Sequence, residues 1–328
     1  MGAVVSDGEV RCFATTGGEL AYTDTGDGPA VVLLHGFPLS SVTWRSLAPA
    51  LTQRFRVVVP DLLGYGGSDR PAHAPLDLRA QAGYVRELLG HLGLDRVALV
   101  GHAHGGGIAQ LLALDGLDVG AMVLLSSVAS DAWPEDATRE LQAVDPGSLD
   151  DEAVEARVRA ALLTGASDPL ALSDDVVSSY VAPWGAEGGA AAFLRAARAL
   201  DGRGLTGHEA AFAAWGFPIL LLWGEDDPVV PLDVAERLHD ALPSSSLGLL
   251  PGVGHFVMDE AGPTVVPMVA EWLRAKYLGA PHTHGDVHAG VVMLQLERRS
   301  AVEDLLEYER DDPPVRYDPR EQEVGPGA

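Results

Sequence analysis

The sequence predicts an α/β protein with a doubly wound, mostly parallel sheet, an inserted helical segment and a C-terminal extension. Short apolar runs of strand length recur along the chain, and segments of helical length separate them. Apolar runs without polar alternation suit parallel strands that are buried on both faces. Strands that alternate with helices are typical of a sheet with helices on both sides.

The predicted elements follow in order along the chain. Residues 12–24 predict an antiparallel hairpin that turns at Gly17 and Gly18 and adds strands at one edge of the sheet. Buried strands are predicted at 31–35, 55–60, 96–101, 121–126, 218–224 and 246–250. Amphipathic helices are predicted at 78–92, 108–114, 232–242 and 265–277.

The alternation of strands and helices stops between residues 131 and 215. Five helix-like segments follow one another there, separated by prolines and without a convincing strand. We therefore expect a core formed by 1–130 and 216–278, a helical cap at 131–215, and an acidic, partly disordered extension at 279–328.

Charge and cysteine content exclude several classes of protein. The chain has 328 residues, with 47 acidic and 22 basic side chains and a formal net charge of −25. Such a surface repels phosphate backbones and anionic lipids, so neither nucleic acid nor a membrane is expected as a partner. A single cysteine, Cys12, excludes an intramolecular disulfide and fits a reducing compartment. We expect a cytoplasmic monomer or homodimer that acts on a small molecule.

The most informative segment is the stretch from Gly101 to Gly106, which we call the elbow. Its sequence, GHAHGG, lies where a predicted strand ends and a helix begins. A sharp turn of the form G-x-nucleophile-x-G presents a nucleophile there, and its neighbours must be small. Position 103 holds alanine, and a methyl group cannot attack a carbonyl or displace a leaving group.

The chain resembles an α/β-hydrolase with a helical cap over roughly residues 10 to 278. Each short motif is common by itself, but the motifs occur in the expected order at the expected strand ends. The motifs are HGFP (35–38), GYGGSD (64–69), the elbow, GEDDPVVP (224–231) and GVGHF (252–256).

The resemblance implies a role for each site residue. Ala103 occupies the nucleophile position, Asp227 is the acid that orients a histidine, and His255 is the base. The backbone amides of Phe37 and His104 are the implied oxyanion hole.

Several residues remain as alternatives or as pocket candidates. Asp226 competes with Asp227 as the acid, and Asp131 holds the position of the acid in some relatives. The candidates for lining the substrate pocket are His35, Trp133, Tyr180, Trp184, Phe212 and Trp215.

No cofactor or metal is expected. The tail contains an HxHxDxH string, His282 to His288, similar to the metal-binding motif of metallo-β-lactamases with one additional residue. That family takes further ligands from distant loops, which a tail of 49 residues does not offer.

Three interpretations of Ala103 stay open. It replaces a serine or aspartate and inactivates an otherwise complete hydrolase; or the protein is a natural pseudoenzyme that binds a ligand; or it is a lyase or cyclase that needs only a His-Asp base. The elbow, the acid, the base and the HGFP loop occur together, and this coherence favours the first interpretation.

The chemistry depends on which nucleophile belongs at position 103. Serine implies acyl transfer from esters or lactones, whereas aspartate implies alkyl-enzyme chemistry on epoxides or organohalides. Haloalkane and haloacetate dehalogenases usually have tryptophan or arginine after the nucleophile, but this chain has His104. Epoxide hydrolases normally use two cap tyrosines, and residues 131–215 contain only Tyr180. Ester or lactone hydrolysis is therefore favoured.

The charge of the predicted cap bears on the substrate. Residues 131–215 hold 15 acidic and 6 basic side chains, which gives −9. This favours a small, neutral, largely apolar substrate, unless an arginine lines the interior of the pocket.

Overall fold

The computed structural model describes residues 8–129, 136–145, 148–186, 188–201, 204–279 and 292–294. The strands are β1 (Arg11–Ala14), β2 (Glu19–Thr25), β3 (Ala30–Leu34), β4 (Arg56–Pro60), β5 (Arg96–His102), β6 (Asp118–Leu125), β7 (Ile219–Gly224), β8 (Ser245–Leu250) and β9 (Val292–Leu294). The α-helices are α1 (Leu47–Leu51), α2 (Leu78–His91), α3 (His104–Leu114), α4 (Asp136–Gln142), α5 (Asp151–Gly165), α6 (Asp174–Val181), α7 (Gly189–Arg198), α8 (Glu209–Ala213), α9 (Leu232–Ala241), α10 (Val257–Glu260) and α11 (Gly262–Lys276).

These strands form one mostly parallel sheet in the order β1-β2-β4-β3-β5-β6-β7-β8-β9. The pairs from β4-β3 to β7-β8 are parallel, and antiparallel pairs lie at the two edges. The predicted hairpin is formed by β1 and β2, with Ala14 opposite Glu19. The predicted fold class is confirmed.

The central strands are buried because their side chains are apolar on both faces of the sheet. Every residue of β3 and of β7 is buried. Burial of both faces requires a layer of structure on each side, and α2 packs on α3 while α1 packs on α11. Each fully buried valine or leucine side chain contributes about 1.5–3 kcal/mol, so this sheet is the main source of stability.

The inserted segment between β6 and β7 is helical, as the sequence predicts, and the described part contains α4 to α8. Helix α5 begins at the cap residue Asp150, whose carboxylate accepts the N–H of Ala153. Its buried face consists of residues at helical spacing, Val154, Val158, Leu162 and Gly165. Within the described ranges, no helix is long and apolar enough to cross a membrane.

Close backbone contacts at the elbow explain its glycines. A Cβ atom on Gly105 would lie 2.1 Å from the carbonyl oxygen of Leu34 in β3. A Cβ atom on Gly101 would lie 2.5 Å from the carbonyl oxygen of Gly105. Helix α3 therefore begins in direct backbone contact with two strands, and only glycine fits at these positions.

We expect Gly105→Ala to lower the free energy of unfolding by about 3 kcal/mol or more, because the new methyl group meets backbone that cannot move aside. Gly83→Ala in α2 is the matched control. Its Cβ would meet nothing within 4 Å, so the change should stabilise the protein by about 0.5–1 kcal/mol. Urea unfolding of both variants measures the effects, and a loss below about 1 kcal/mol for Gly105→Ala would contradict the close contact.

Candidate active site

The predicted site residues lie at the carboxyl edge of the sheet. Ala103 follows β5, Asp227 follows β7 and His255 follows β8. Because parallel strands end at the same edge, residues far apart in the sequence come together there. This edge is also where ligands bind in open α/β sheets.

Ala103 has the strained backbone of a nucleophile-bearing turn, although its side chain is only a methyl group. Its φ is +50° and its ψ is −123°. A residue other than glycine in such a region costs about 1–3 kcal/mol. The N–H of Ala103 donates to Leu125 O and its carbonyl accepts from the N–H of Val128, each at 3.1 Å. Neighbouring backbone therefore holds the strained turn in place.

His255 and Asp227 form a buried hydrogen-bonded pair. Nδ1 of His255 donates to Oδ2 of Asp227 at 2.9 Å, and Oδ1 accepts the N–H groups of Val229 and Val230. Burial by itself raises the pKa of the Asp227 carboxyl, but the His255 ring and the two amides outweigh this and hold the pKa below its ordinary value. Asp227 is therefore a carboxylate that orients the His255 ring.

The backbone around His255 is fixed by Glu260, which the sequence did not single out. The Glu260 carboxylate accepts the N–H groups of Gly254 and Phe256, both at 3.0 Å. It also accepts the N–H of Ser167 from the inserted segment, at 2.8 Å. The N–H of His255 donates to Gly165 O, at the end of α5, at 2.8 Å. The loop that carries His255 is thus tied directly to α5.

The expected oxyanion hole is partly occupied by a side chain. The Phe37 N–H donates to Nδ1 of His104 at 2.7 Å. Burial lowers the pKa of His104 well below its ordinary value, so the ring is neutral and carries its proton on Nε2. The Phe37 amide must leave the His104 ring before it can bind an oxyanion. The His104 N–H is the first of α3 and has no acceptor within that helix.

Two further buried histidines hold backbone segments. His35 accepts the N–H of Leu62 through Nε2, and its Nδ1 donates to Gly36 O. Nε2 of His102 donates to His255 O at 2.9 Å. Burial lowers the pKa of His102 to about 3, so its ring is neutral at pH 7.

A cavity of about 270 Å³ opens at this edge of the sheet. Of the residues singled out in the sequence as site candidates, it contains His255 and Phe37. Its lining consists of Phe37, Pro38, Thr138, Leu141, Arg157, Ala160, Ala161, Thr164, Phe193, Val229, His255 and Phe256. A larger groove of about 620 Å³ between α2 and α7 contains none of the predicted site residues, so the chemistry points to the smaller cavity.

Five of the expected pocket residues lie outside this lining. His35 is one of them, because its ring is bound between backbone groups. The Tyr180 hydroxyl donates to Asp259, which also pairs with Arg45. The Trp184 indole N–H donates to Pro38 O at 2.8 Å and braces the HGFP loop. Phe212 and Trp215 pack on each other, with ring centroids 4.8 Å apart.

Of the two neighbouring acid candidates, Asp227 is the one that contacts His255. Asp226 is exposed, and its carboxylate accepts from the Ser167 hydroxyl instead. Asp131, Trp133 and the stretch from His282 to His288 lie outside the described residues. Among the residues that are described, no group of three or more His, Cys, Asp or Glu side chains could hold a metal ion.

Comparison with known proteins identifies the relatives of this chain. The model of the alpha/beta hydrolase fold family matches residues 29–262. An uncharacterized protein of Mycobacterium tuberculosis (strain H37Rv) is 32% identical over 251 residues, which cover 72% of each chain. Haloalkane dehalogenase 2 of the same strain is 30% identical over 274 residues, which cover 80% of this chain and 94% of the relative.

A solved structure agrees with this similarity. The crystal structure of an alpha/beta hydrolase fold protein from Burkholderia ambifaria superposes with a TM-score of 0.74. The two chains are 34% identical, and the match covers 79% of this chain and 96% of that one.

Asp227→Asn tests the charge of the buried carboxylate. The lowered pKa of Asp227 means that its stabilising effect is complete above the unfolded pKa of about 3.9 and disappears as the pH falls through the folded pKa. We expect the variant to be less stable by about 1–3 kcal/mol at pH 7, and the difference to shrink below about pH 4. Denaturant unfolding from pH 7 to pH 3 measures it, and a difference independent of pH would contradict this account.

Glu260→Ala tests whether the Glu260 carboxylate holds the loop that carries His255. Loss of the shared acceptor should accelerate amide hydrogen exchange at Gly254, Phe256 and Ser167 by about tenfold or more, because three N–H groups lose their partner together. Asp150→Ala, which removes the cap at the other end of α5, is the control and should leave these amides slow. Equal acceleration in both variants would assign the effect to general loosening of α5.

Proposed function

Because the chain belongs to the alpha/beta hydrolase fold family, we propose that its site is that of a hydrolase for a small molecule, with position 103 as the place of the nucleophile. In this proposal His255 is the base, Asp227 orients it, and residues 131–215 form a cap over the core at 1–130 and 216–278. The observation that carries the proposal is the buried His255–Asp227 pair, whose histidine lines the cavity at the edge where the strained elbow lies.

The chain with Ala103 binds substrate without turning it over. A methyl group has no lone pair with which to form an acyl-enzyme or alkyl-enzyme bond. His255 would then have no nucleophile to deprotonate, although the rest of the site is assembled. We also propose that the protein is cytoplasmic and works as a monomer or homodimer, as its composition and lone Cys12 indicate.

Serine is the first candidate for position 103, and esters or lactones are then the substrates. His255 would take the serine proton, the amides of Phe37 and His104 would hold the tetrahedral oxyanion, and water would release the acid. In these steps the hydrogen bond from the Phe37 N–H to Nδ1 of His104 must break, so that the same N–H can donate to the substrate oxygen.

Aspartate is the second candidate, and the similarity to haloalkane dehalogenase 2 favours it. An aspartate would displace a leaving group from carbon, and His255 would activate the water that frees the product. Epoxides fit less well than organohalides, because the Tyr180 hydroxyl is engaged by Asp259 instead of facing the cavity.

The test is restoration of the nucleophile. Ala103→Ser and Ala103→Asp should be assayed beside the unmodified chain on panels of esters, lactones, epoxides and organohalides. We expect one of the two variants to gain about 10³-fold or more in kcat/KM on one panel, because removal of a nucleophile costs at least that factor in related sites.

His255→Ala in the active variant is the control, and it should abolish the gain. If neither variant gains activity on any panel, the hydrolase proposal fails and a ligand-binding pseudoenzyme takes its place. If the unmodified chain itself turns a substrate over and His255→Ala abolishes this, the protein is a lyase or cyclase that uses a general base alone.

A further inference from the structure

Arg157 is an exposed arginine that lines the cavity. Of the described residues that line it, only Arg157 and His255 are ionisable. Arg157 makes no hydrogen bond and no ion pair with any residue that the structure describes. Most of the remaining described lining is apolar, so Arg157 is the permanent cation that this lining offers to a bound molecule.

The position of Arg157 follows from the way α5 packs. Residues 157, 160, 161 and 164 recur at helical spacing and all line the cavity. The adjacent face, with Val154, Val158 and Leu162, is buried. Arg159, two residues away, lies on a different face and is not part of the lining. The docking of α5 therefore sets the face on which Arg157 lies.

The backbone at Arg157 lies well away from the end of α5 that contacts the His255 loop. That end of α5 is held by the hydrogen bond from the His255 N–H to Gly165 O. Gly165 is eight positions after Arg157, which is about 12 Å along the helix axis. A molecule that reaches both groups must carry its anionic group several bonds away from the atom near His255.

We propose that Arg157 binds a carboxylate at the far end of the substrate, so that the substrates are half-esters of dicarboxylic acids or similar ω-carboxy compounds. This inference rests on the proposed hydrolase function. A planar guanidinium pairs with a carboxylate through two parallel hydrogen bonds, and the apolar lining accommodates the connecting chain. Compounds of haloacetate size are too short to reach both groups.

A substrate with a carboxylate differs from the neutral substrate that the charge of the cap predicts. That charge of −9 is a sum over residues 131–215 and acts at long range, where salt screens it. The Arg157 guanidinium, although exposed, acts at contact distance on a molecule that binds in the cavity, so we expect it to outweigh the distant charges there.

Binding to the unmodified chain tests the inference without any need for turnover. Isothermal titration calorimetry should compare monomethyl suberate, which carries one carboxylate, with dimethyl suberate, which carries none. We expect Arg157→Gln to weaken binding of the monoester by about 3- to 10-fold, as for an exposed ion pair, and to change binding of the diester by less than about twofold.

Arg159→Gln is the matched control, since it removes the same charge from the same helix outside the cavity. It should leave binding of both esters unchanged. Monomethyl succinate is the length control, and we expect it to bind more weakly than monomethyl suberate, because it cannot contact Arg157 and the His255 end together. Added salt should weaken binding of monomethyl suberate and leave binding of dimethyl suberate unchanged.

Three results would overturn the inference: equal effects of Arg157→Gln on both esters, equal effects of the two arginine variants on the monoester, and binding of neither ester. Its failure is distinguishable from failure of the hydrolase proposal. Arg157-dependent binding without turnover by Ala103→Ser or Ala103→Asp upholds the carboxylate site and rejects the hydrolase. If Ala103→Ser or Ala103→Asp turns over neutral substrates and Arg157→Gln does not change that rate, the hydrolase proposal is upheld and the carboxylate site is rejected.

Discussion

The position of one imidazole ring, that of His255, is the constraint on which the rest of the site depends. Its Nδ1 is bound to Asp227, its backbone carbonyl accepts from His102, and its N–H donates to Gly165. Glu260 holds the amides on either side. These contacts come from strands β5 and β7, from helix α10 and from the inserted helix α5. The His255 ring is therefore fixed only when the sheet, the loops and the insertion are all assembled, and such preorganisation suits the proposed role of His255 as a base.

The elbow keeps a strained backbone although its central residue is alanine. Ala103 keeps a positive φ that favours glycine, and Gly101 and Gly105 are forced by backbone contacts at 2.5 and 2.1 Å. Strain of this kind persists only where the surroundings determine it. Because the cost falls on the backbone, the elbow keeps its geometry with only a methyl group at position 103.

Electrostatics operate on two scales in this protein. The net charge of −25 creates a long-range negative field around the protein. At the site, in contrast, the local groups decide: a carboxylate held ionised beside His255, neutral His102 and His104 rings at the elbow, and the Arg157 guanidinium that lines the cavity from α5. Bulk composition therefore predicts which partners are repelled, and it does not predict which ligand the cavity binds.

The sequence by itself determined the fold class, the order of strands and helices along the chain, the hairpin of β1 and β2, and the places of Ala103 and His255 after predicted strands. It left Asp227 and Asp226 as alternatives for the acid. Apolar runs, glycine spacing and the order of short motifs are local signals, and they can be read without coordinates. Only the tertiary structure decided that Asp227 rather than Asp226 touches His255, that His104 occupies the Phe37 amide, and that Tyr180 and Trp184 brace other elements outside the cavity lining. Glu260 and Arg157 carried no signal in the sequence, because their contacts depend on how α5 docks on the loop after β8. Helical periodicity predicts which residues share a face of a helix, but it does not predict which other element that face contacts.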